Sequence, residues 1–236
     1  VNMVPLAIRY SGLMEKFDEL GFSAVDRGDI IAGKPETDNP RMKNFKPIFE
    51  ANKTLFEQVT ESLGQDAFPV ILGGDHCVAA GSISATNHFF QKVGVIWIDA
   101  HGDFNSDETS PSGNMHGMPL SAVTGFGPEK MVAFTGQHKY VDPNHVAVIG
   151  GRDIDPEERK RMADSGVHVF SIHDVDRLGM AEVMKRAIEI AGNGTDGIHV
   201  SFDVDAITPQ EAPGVGTPVH SGLTVREAFL AAELVA

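Results

Sequence analysis

An unbroken apolar run, Val93–Ile98, gives way abruptly to a stretch of alternating polar and small residues, Asp99-Ala100-His101-Gly102-Asp103. The run is too short for a helix and rich in β-branched residues. It predicts a strand buried on both faces of a parallel sheet. Short apolar runs at Phe22–Val25, Phe68–Leu72, Val146–Ile149, Val167–Phe170 and Ile198–Val204 predict further strands. Helices are predicted from Pro5 to Leu20 with Gly21 as the stop, from Lys46 to Leu63, from Cys77 to Phe90 and from Pro119 to Thr124. Others follow from Pro156 to Ser165 and from Met180 to Ala191, and Thr224 with Glu227 makes a capping box for a last one. Arg27–Asn44, with Pro35 and Pro40, reads as a loop, as does Asp103–Gly117; Phe126–Asn144 carries little signal. Strands alternating with helices imply a mostly parallel sheet covered on both faces. No repeat, low-complexity tract or linker interrupts the pattern, so one domain is expected over residues 1–236.

In such sheets the functional crevice lies at the carboxyl ends of the strands. Three predicted strands end there in potential ligands. One delivers Gly73-Gly74-Asp75-His76, one Asp99, His101 and Asp103, and one Asp203 and Asp205. If the extended conformation continues, Asp99, His101 and Asp103 point the same way, because side chains alternate along a strand. Carboxylates crowded into one pocket repel one another unless a cation sits between them. Four carboxylates and two imidazoles exceed the needs of one tetrahedral zinc. They suit two octahedral-leaning ions, and mixed N/O ligation favours manganese over calcium or magnesium. Two ions about 3.5–4 Å apart acidify a shared water, which predicts metal-assisted hydrolysis. Taken singly, each motif has an ordinary reading: Asp-x-Asp after a strand caps helices, and a lone His is more often structural.

Composition narrows the picture further. A hydrophobic fraction of 42% with 22% charged residues describes an ordinary globular protein. The formal net charge of -14 argues against nucleic acid or an anionic membrane as partner. It suits a cationic substrate or bound metal ions, although solubility alone is a sufficient reason for it. Cys77 is the single cysteine, so no disulfide forms within the chain, and a reducing, cytoplasmic setting is expected. Cys77 itself reads as a small buried hydrophobe. No apolar run reaches the length of a membrane span and no signal peptide is visible.

Four motifs together carry a resemblance: Gly73–His76 (GGDH), Asp99–Asp103 (DAHGD), Ser110–Pro119 (SPSGNMHGMP) and Ser201–Asp205 (SFDVD). They resemble the ureohydrolase, or arginase–agmatinase, family, and within it the arginases. The resemblance spans nearly the whole chain. It implies a three-layer α/β/α sandwich with a mostly parallel central sheet, two Mn2+ per subunit, and hydrolysis of L-arginine to L-ornithine and urea. It also implies that one ion takes His76, Asp99, Asp103 and Asp203, and the other His101, Asp99, Asp203 and Asp205. Asp103 would hydrogen-bond the attacking hydroxide and pass its proton to the leaving amine, with His116 as proton shuttle. Asp75 is not a ligand in the family and is expected to serve structure. A homo-oligomer, trimer or hexamer, is a further implication.

The same resemblance places the substrate α-carboxylate on Asn105, Ser112 and Asn114, and the α-amino group on Asp155 and Glu158. Thr217 matches a position near the guanidinium. On local sequence alone Asp155 is equally an N-cap before Pro156, and Thr217 a turn residue between Gly216 and Pro218. Val4, Ala206 and Thr208 depart from the family pattern. The family's first strand, its Gly-rich turn and a C-terminal segment bearing a guanidinium-contacting Glu are expected to be missing, leaving the sheet edges uncovered. Alternatives are an agmatinase or other amidinohydrolase, a non-catalytic relative, and a metallophosphoesterase. Agmatine has no carboxylate, which leaves the Ser112/Asn114 loop without a purpose, and no phosphate-binding loop is present.

Overall fold

The computed structural model describes residues 3–36, 39–136 and 139–236. Two residues of the predicted loop Arg27–Asn44 and two of the stretch Phe126–Asn144 lie outside these. In chain order, helices α1 (Val4–Tyr10), α2 (Leu13–Glu19), α3 (Phe45–Gly64) and α4 (Val78–Phe89) precede strand β1 (Val93–Ile98). Then come α5 (Pro119–Val123), β2 (Val146–Gly151), α6 (Pro156–Ser165), β3 (His168–Ser171) and α7 (Ile172–Leu178). Helix α8 (Met180–Gly192), β4 (Gly197–Phe202) and α9 (Val225–Val235) complete the order.

The strands form a parallel sheet in the order β3-β2-β1-β4, with β1 central and buried at all its positions. Alternation along β1 decides the layers. Val95 and Trp97 face one side, where Ile83 of α4, Met118 and Leu120 of α5 cover them. Ile96 and Ile98 face the other, against Val183, Met184 and Ala187 of α8 and Ala231 of α9. Two hydrophobic cores on opposite faces of one sheet make the three-layer α/β/α sandwich that the pattern predicts.

Several elements differ from expectation. The first helix is broken at Ser11–Gly12, where Gly12 is left-handed at φ 94° and the Ser11 hydroxyl bonds back to the Ile8 carbonyl. Phe22–Val25 is not a strand. Nor is Phe68–Leu72 the buried strand expected: it has no ladder partner, and Phe68 is 90% exposed. An apolar run becomes a strand only when a neighbour completes its hydrogen bonds. Instead, 67–73 lines a groove of about 1590 Å³ that β4 and the residues after it also line. The strand expected over Ile198–Val204 ends at Phe202, and the next residues form a short 3₁₀ turn. Helix α7 was not expected, although Ser171 and Asp174 form the capping box that starts it.

Gly94 shows how closely the layers approach. A Cβ there would collide with the backbone of Ala191 in α8. Gly94→Ala is therefore expected to push α8 off the sheet and cost about 1–3 kcal/mol or more. Denaturant titration checks this; an unchanged midpoint would show that the helix shifts freely.

Candidate metal centre

The sheet delivers its carboxylates through continued ladder bonding. The Asp99 N–H donates to the Ile149 carbonyl, and the Asp203 N–H donates to the Ile98 carbonyl. These bonds bring the ends of β1, β2 and β4 into register, so Asp99 and Asp203 share one edge. His76 enters from the turn before α4, where the Asp75 carboxylate accepts the Cys77 N–H. Asp75 thus serves the turn rather than the cluster.

The predicted ligands converge. His76 Nδ1 lies 2.8 Å from Asp99 Oδ2, 3.2 Å from Asp103 Oδ2 and 3.4 Å from Asp203 Oδ2. His101 Nδ1 lies 3.2 Å from both Asp99 Oδ1 and Asp205 Oδ2. The donor atoms of His76, Asp99 and Asp103 fall within 4.8 Å of one another, as do those of Asp99, His101 and Asp205. Asp99 belongs to both groups. The route differs from continued extension, however. Asp103 adopts a left-handed backbone at φ 47°, and its carbonyl accepts from Leu120 and Ser121 at the start of α5. A non-glycine residue held in that region is a strained arrangement of the kind found at functional sites.

The electrostatics call for a cation. Among the described residues, Asp99, Asp103, Asp203 and Asp205 form ion pairs only with His76 and His101. Burial works against charge on His76, but hydrogen bonds with Asp103 and Asp99 raise its pKa to about 10. His101 behaves alike: burial opposes its charge, and Asp205 and Asp99 raise it to about 11. Burial, then the neighbouring Asp99 charge, pushes the Asp103 carboxyl well up. Protons gather where positive charge is missing. Nitrogen and oxygen donors converging without lysine or arginine fit a pair of divalent ions.

Two further residues hold His76 in place. Its Nε2 lies 2.7 Å from the Ser201 hydroxyl, and its ring stacks on Trp97 with centroids 3.9 Å apart. The Trp97 indole N–H also donates to Asp99 Oδ2 at 3.1 Å. Trp97 and Ser201 are register partners across β1 and β4. Sequence reasoning passed over both. Their signal was the strand period: each stands two residues before an aspartate of the cluster, on the same face.

The residues expected to contact substrate are distributed less evenly. The Asn105 amide donates to Asp155 Oδ2 at 3.0 Å and its oxygen accepts from Thr109, so Asn105 is turned toward Asp155. Ser112 is exposed at the groove, with its hydroxyl bonded to the Asn114 N–H. Asn114 is not among the groove-lining residues and forms a bridge with Lys43 instead. Asp155, Glu158, His116 and Thr217 all line the groove. Thr217 donates to Asp205 Oδ2 at 2.8 Å, so it is more than a turn residue. Glu158 is only 3% exposed, and its carboxylate accepts the N–H groups of Phe104 and Asp155. The second bond is half of a capping box on α6.

Burial pushes the Glu158 carboxyl up to about 7 from 4.5. The folded protein thus holds this proton more tightly than the unfolded chain. The group's contribution to stability is complete below pH 4.5 and is lost as pH rises to about 7, a change of about 3 kcal/mol. Glu158→Gln is expected to remove that slope while lowering stability by a constant amount. Denaturation of both metal-free proteins across this range checks it; parallel pH profiles would reject the assignment.

The Arginase family model matches residues 1–236. The arginase of Bacillus caldovelox is 44% identical over 240 residues, covering 100% of this chain and 80% of the relative. The arginase of Bacillus subtilis (strain 168) is 41% identical, covering 100% and 79%. The native crystal structure of the Bacillus caldovelox enzyme superposes with a TM-score of 0.96, covering 99% of this chain and 80% of that one. Entamoeba histolytica arginase in complex with L-ornithine, 30% identical, superposes at 0.89, covering 99% and 80%. Trypanosoma cruzi formiminoglutamase, at 23% identity and a TM-score of 0.71, shares the fold. The chain belongs to the arginase family.

Proposed function

We infer that this chain, as one ureohydrolase domain, hydrolyses L-arginine to L-ornithine and urea. The observation that carries this is the convergence of two histidines and three aspartates into two groups that share Asp99, with Asp203 3.4 Å from His76 and, among the described residues, no lysine or arginine ion-paired to them. We propose two Mn2+ per subunit, one held by His76, Asp99, Asp103 and Asp203 and the other by His101, Asp99, Asp203 and Asp205. When bound, such a pair supplies Lewis acidity and a water acidified enough to attack near neutral pH. The donor types suit manganese better than calcium or magnesium.

The chain's own residues then divide the work. The arginine guanidinium stays protonated, and its delocalised charge makes a poor electrophile. Attack by water at the central carbon ends that delocalisation and gives a tetrahedral species. Asp103 takes the first proton of the attacking water and returns it to the δ-nitrogen, so the C–Nδ bond breaks with the amine leaving neutral; the second water proton leaves the hydroxyl as the urea carbonyl forms and passes to solvent. His116, half-buried in the groove wall, exchanges protons with solvent. Asp155 receives the substrate ammonium, as its charge requires, with Asn105 and Glu158 fixing its position. Ser112, with Asn114 beyond it, offers neutral donors to the α-carboxylate. Thr217 stands beside Asp205 near the guanidinium.

A homo-oligomer, trimer or hexamer, located in the cytoplasm, completes the proposal; the lone buried Cys77 suits a reducing compartment. Among the described residues, no helix is long and apolar enough to cross a membrane.

Urea release from L-arginine, and little from agmatine, is expected in the presence of Mn2+ and is lost after chelation. Preference for agmatine would overturn the substrate, and no release from either would overturn the activity. Asp103→Asn is expected to lower kcat by about 10²–10⁴-fold with the fold retained, as for loss of a general acid–base group. A near-normal rate would reject its role. Ser201→Ala is expected to weaken one of the two Mn2+ sites about 10–100-fold, because His76 loses the partner that orients its ring. Calorimetric titration reads this directly; equal affinities in variant and parent would show that Trp97 stacking alone suffices.

A further inference from the structure

Arg152 stands just beyond β2, where the register of the β2–β3 ladder shifts around the left-handed Gly150. Its guanidinium forms no ion pair among the described residues, although Asp99, Asp153 and Asp205 are near enough to influence its charge. It donates instead to backbone carbonyls. Nε reaches His220 at 3.0 Å; Nη1 reaches Ala206 at 3.1 Å and Gly150 at 3.4 Å. Nη2 reaches Asp205 at 2.8 Å and Val219 at 2.7 Å. Every N–H of the guanidinium is thereby used. The acceptors come from three separate segments: the end of β2, the turn that carries Asp205, and the return leg of the loop that carries Thr217.

The slot is built for this group. A Cβ at Gly222 would collide with Arg152 Nη2 and would lie 2.5 Å from the Ala206 carbonyl. Gly222 does not have a left-handed backbone, so the need is for space alone. The loop is closed at its base by the Ile207–Leu223 bridge and by bonds between Thr208 and Leu223 and between Leu223 and Ala206. Arg152 ties the same loop from the side facing the cluster. Asp205 Oδ2, in turn, receives the Thr217 hydroxyl and faces His101 Nδ1.

We propose that Arg152 is a positioning residue that sets the Asp205 carboxylate and the Thr217 wall together. It thereby tunes one of the two cation sites and the grip on the guanidinium end of the substrate. This rests on the binuclear arginine-hydrolase reading above. A lysine cannot replace it, because its compact ammonium has three donors and no planar fork to span three segments.

The test compares Arg152→Lys and Gly222→Ala with the full parent protein. Mn2+ titration followed by calorimetry and electron paramagnetic resonance reads each site; kcat and KM for L-arginine are measured at saturating Mn2+. Both variants are expected to fold, to bind one Mn2+ as the parent does, and to bind the second about 10–100-fold more weakly, as when an orienting partner is lost. KM is expected to rise more than kcat falls. Wild-type affinities with only a lower melting temperature would overturn the proposal, as would equal weakening of both sites. Failure of both variants to fold would overturn it too, in favour of a purely structural role. A parent that binds two Mn2+ but releases no urea from arginine would instead overturn the proposed activity, while the titration still decides the role of Arg152.

Discussion

Four carboxylates and two imidazoles at one end of a buried sheet impose the constraint to which the rest of the structure answers. Unpaired charge in such surroundings costs several kcal/mol per group. The protein offers no lysine or arginine to these aspartates among the described residues. The Arg152 guanidinium, near enough for Asp99 and Asp205 to influence it, gives all its N–H groups to carbonyls. The cluster is thus left for something positive from outside the chain. Without it the imidazoles hold protons strongly and Asp103 resists ionisation. Those displaced titrations have physical causes: burial and then the Asp99 charge raise Asp103, and hydrogen bonds to the carboxylates raise the imidazoles against their burial.

Those bonds come from the sheet and from the turns at its edge. Ladder bonds continue past the strands into Asp99 and Asp203, which fixes their main chains before any side-chain interaction is counted. Beyond that point the backbone becomes irregular, and each departure has a local support. Asp103 is left-handed, and α5 begins on its carbonyl. The next residue, Phe104, donates its N–H to buried Glu158. Gly150 lets β2 shift register beside Asp99. Rigid floor and braced rim serve different ends: the floor sets the spacing of ligands, and the rim sets which groups look into the groove.

Much of this was legible in the sequence because period and motif agreed. Val93–Ile98 reads as a buried strand, and its alternation already separates Val95 and Trp97 from Ile96 and Ile98. Six ligand candidates could be named because each follows a strand or a strand-like run at a chemically telling spacing. What failed, failed for lack of a partner. Phe68–Leu72 has the composition of a strand, yet composition does not say whether a neighbour will complete its hydrogen bonds. The path of Asp103 was misjudged because extension was carried beyond the last ladder bond. Asn105 and Glu158 both line the groove as expected, but each also satisfies polar groups of the protein itself, which the sequence does not reveal. Such second partners lie about 50 residues away in the chain, beyond any local pattern.

The contrast between Asp155 and Glu158 bears on how an acidic groove can hold a zwitterion. Both carboxylates belong to one capping box, yet burial raises Glu158 to about 7, well above the usual carboxylate range. Asp155 is half-buried at the groove with one oxygen on the Asn105 amide. On the proposed reading of the groove, Asp155 would take the substrate ammonium and neutral donors such as Ser112 the α-carboxylate, with less charge from the buried Glu158 beside them. Were both acids fully ionised, the carboxylate end of the substrate would be repelled by the pair that attracts its amine. Burying one of two adjacent carboxylates, and fastening it to backbone N–H groups, separates attraction from repulsion over a few ångströms. The same reasoning explains why the brace for the rim is an acid at all. Glu158 offers two oxygens to the Phe104 and Asp155 N–H groups from one side chain, which neither glutamine nor a hydroxyl can match.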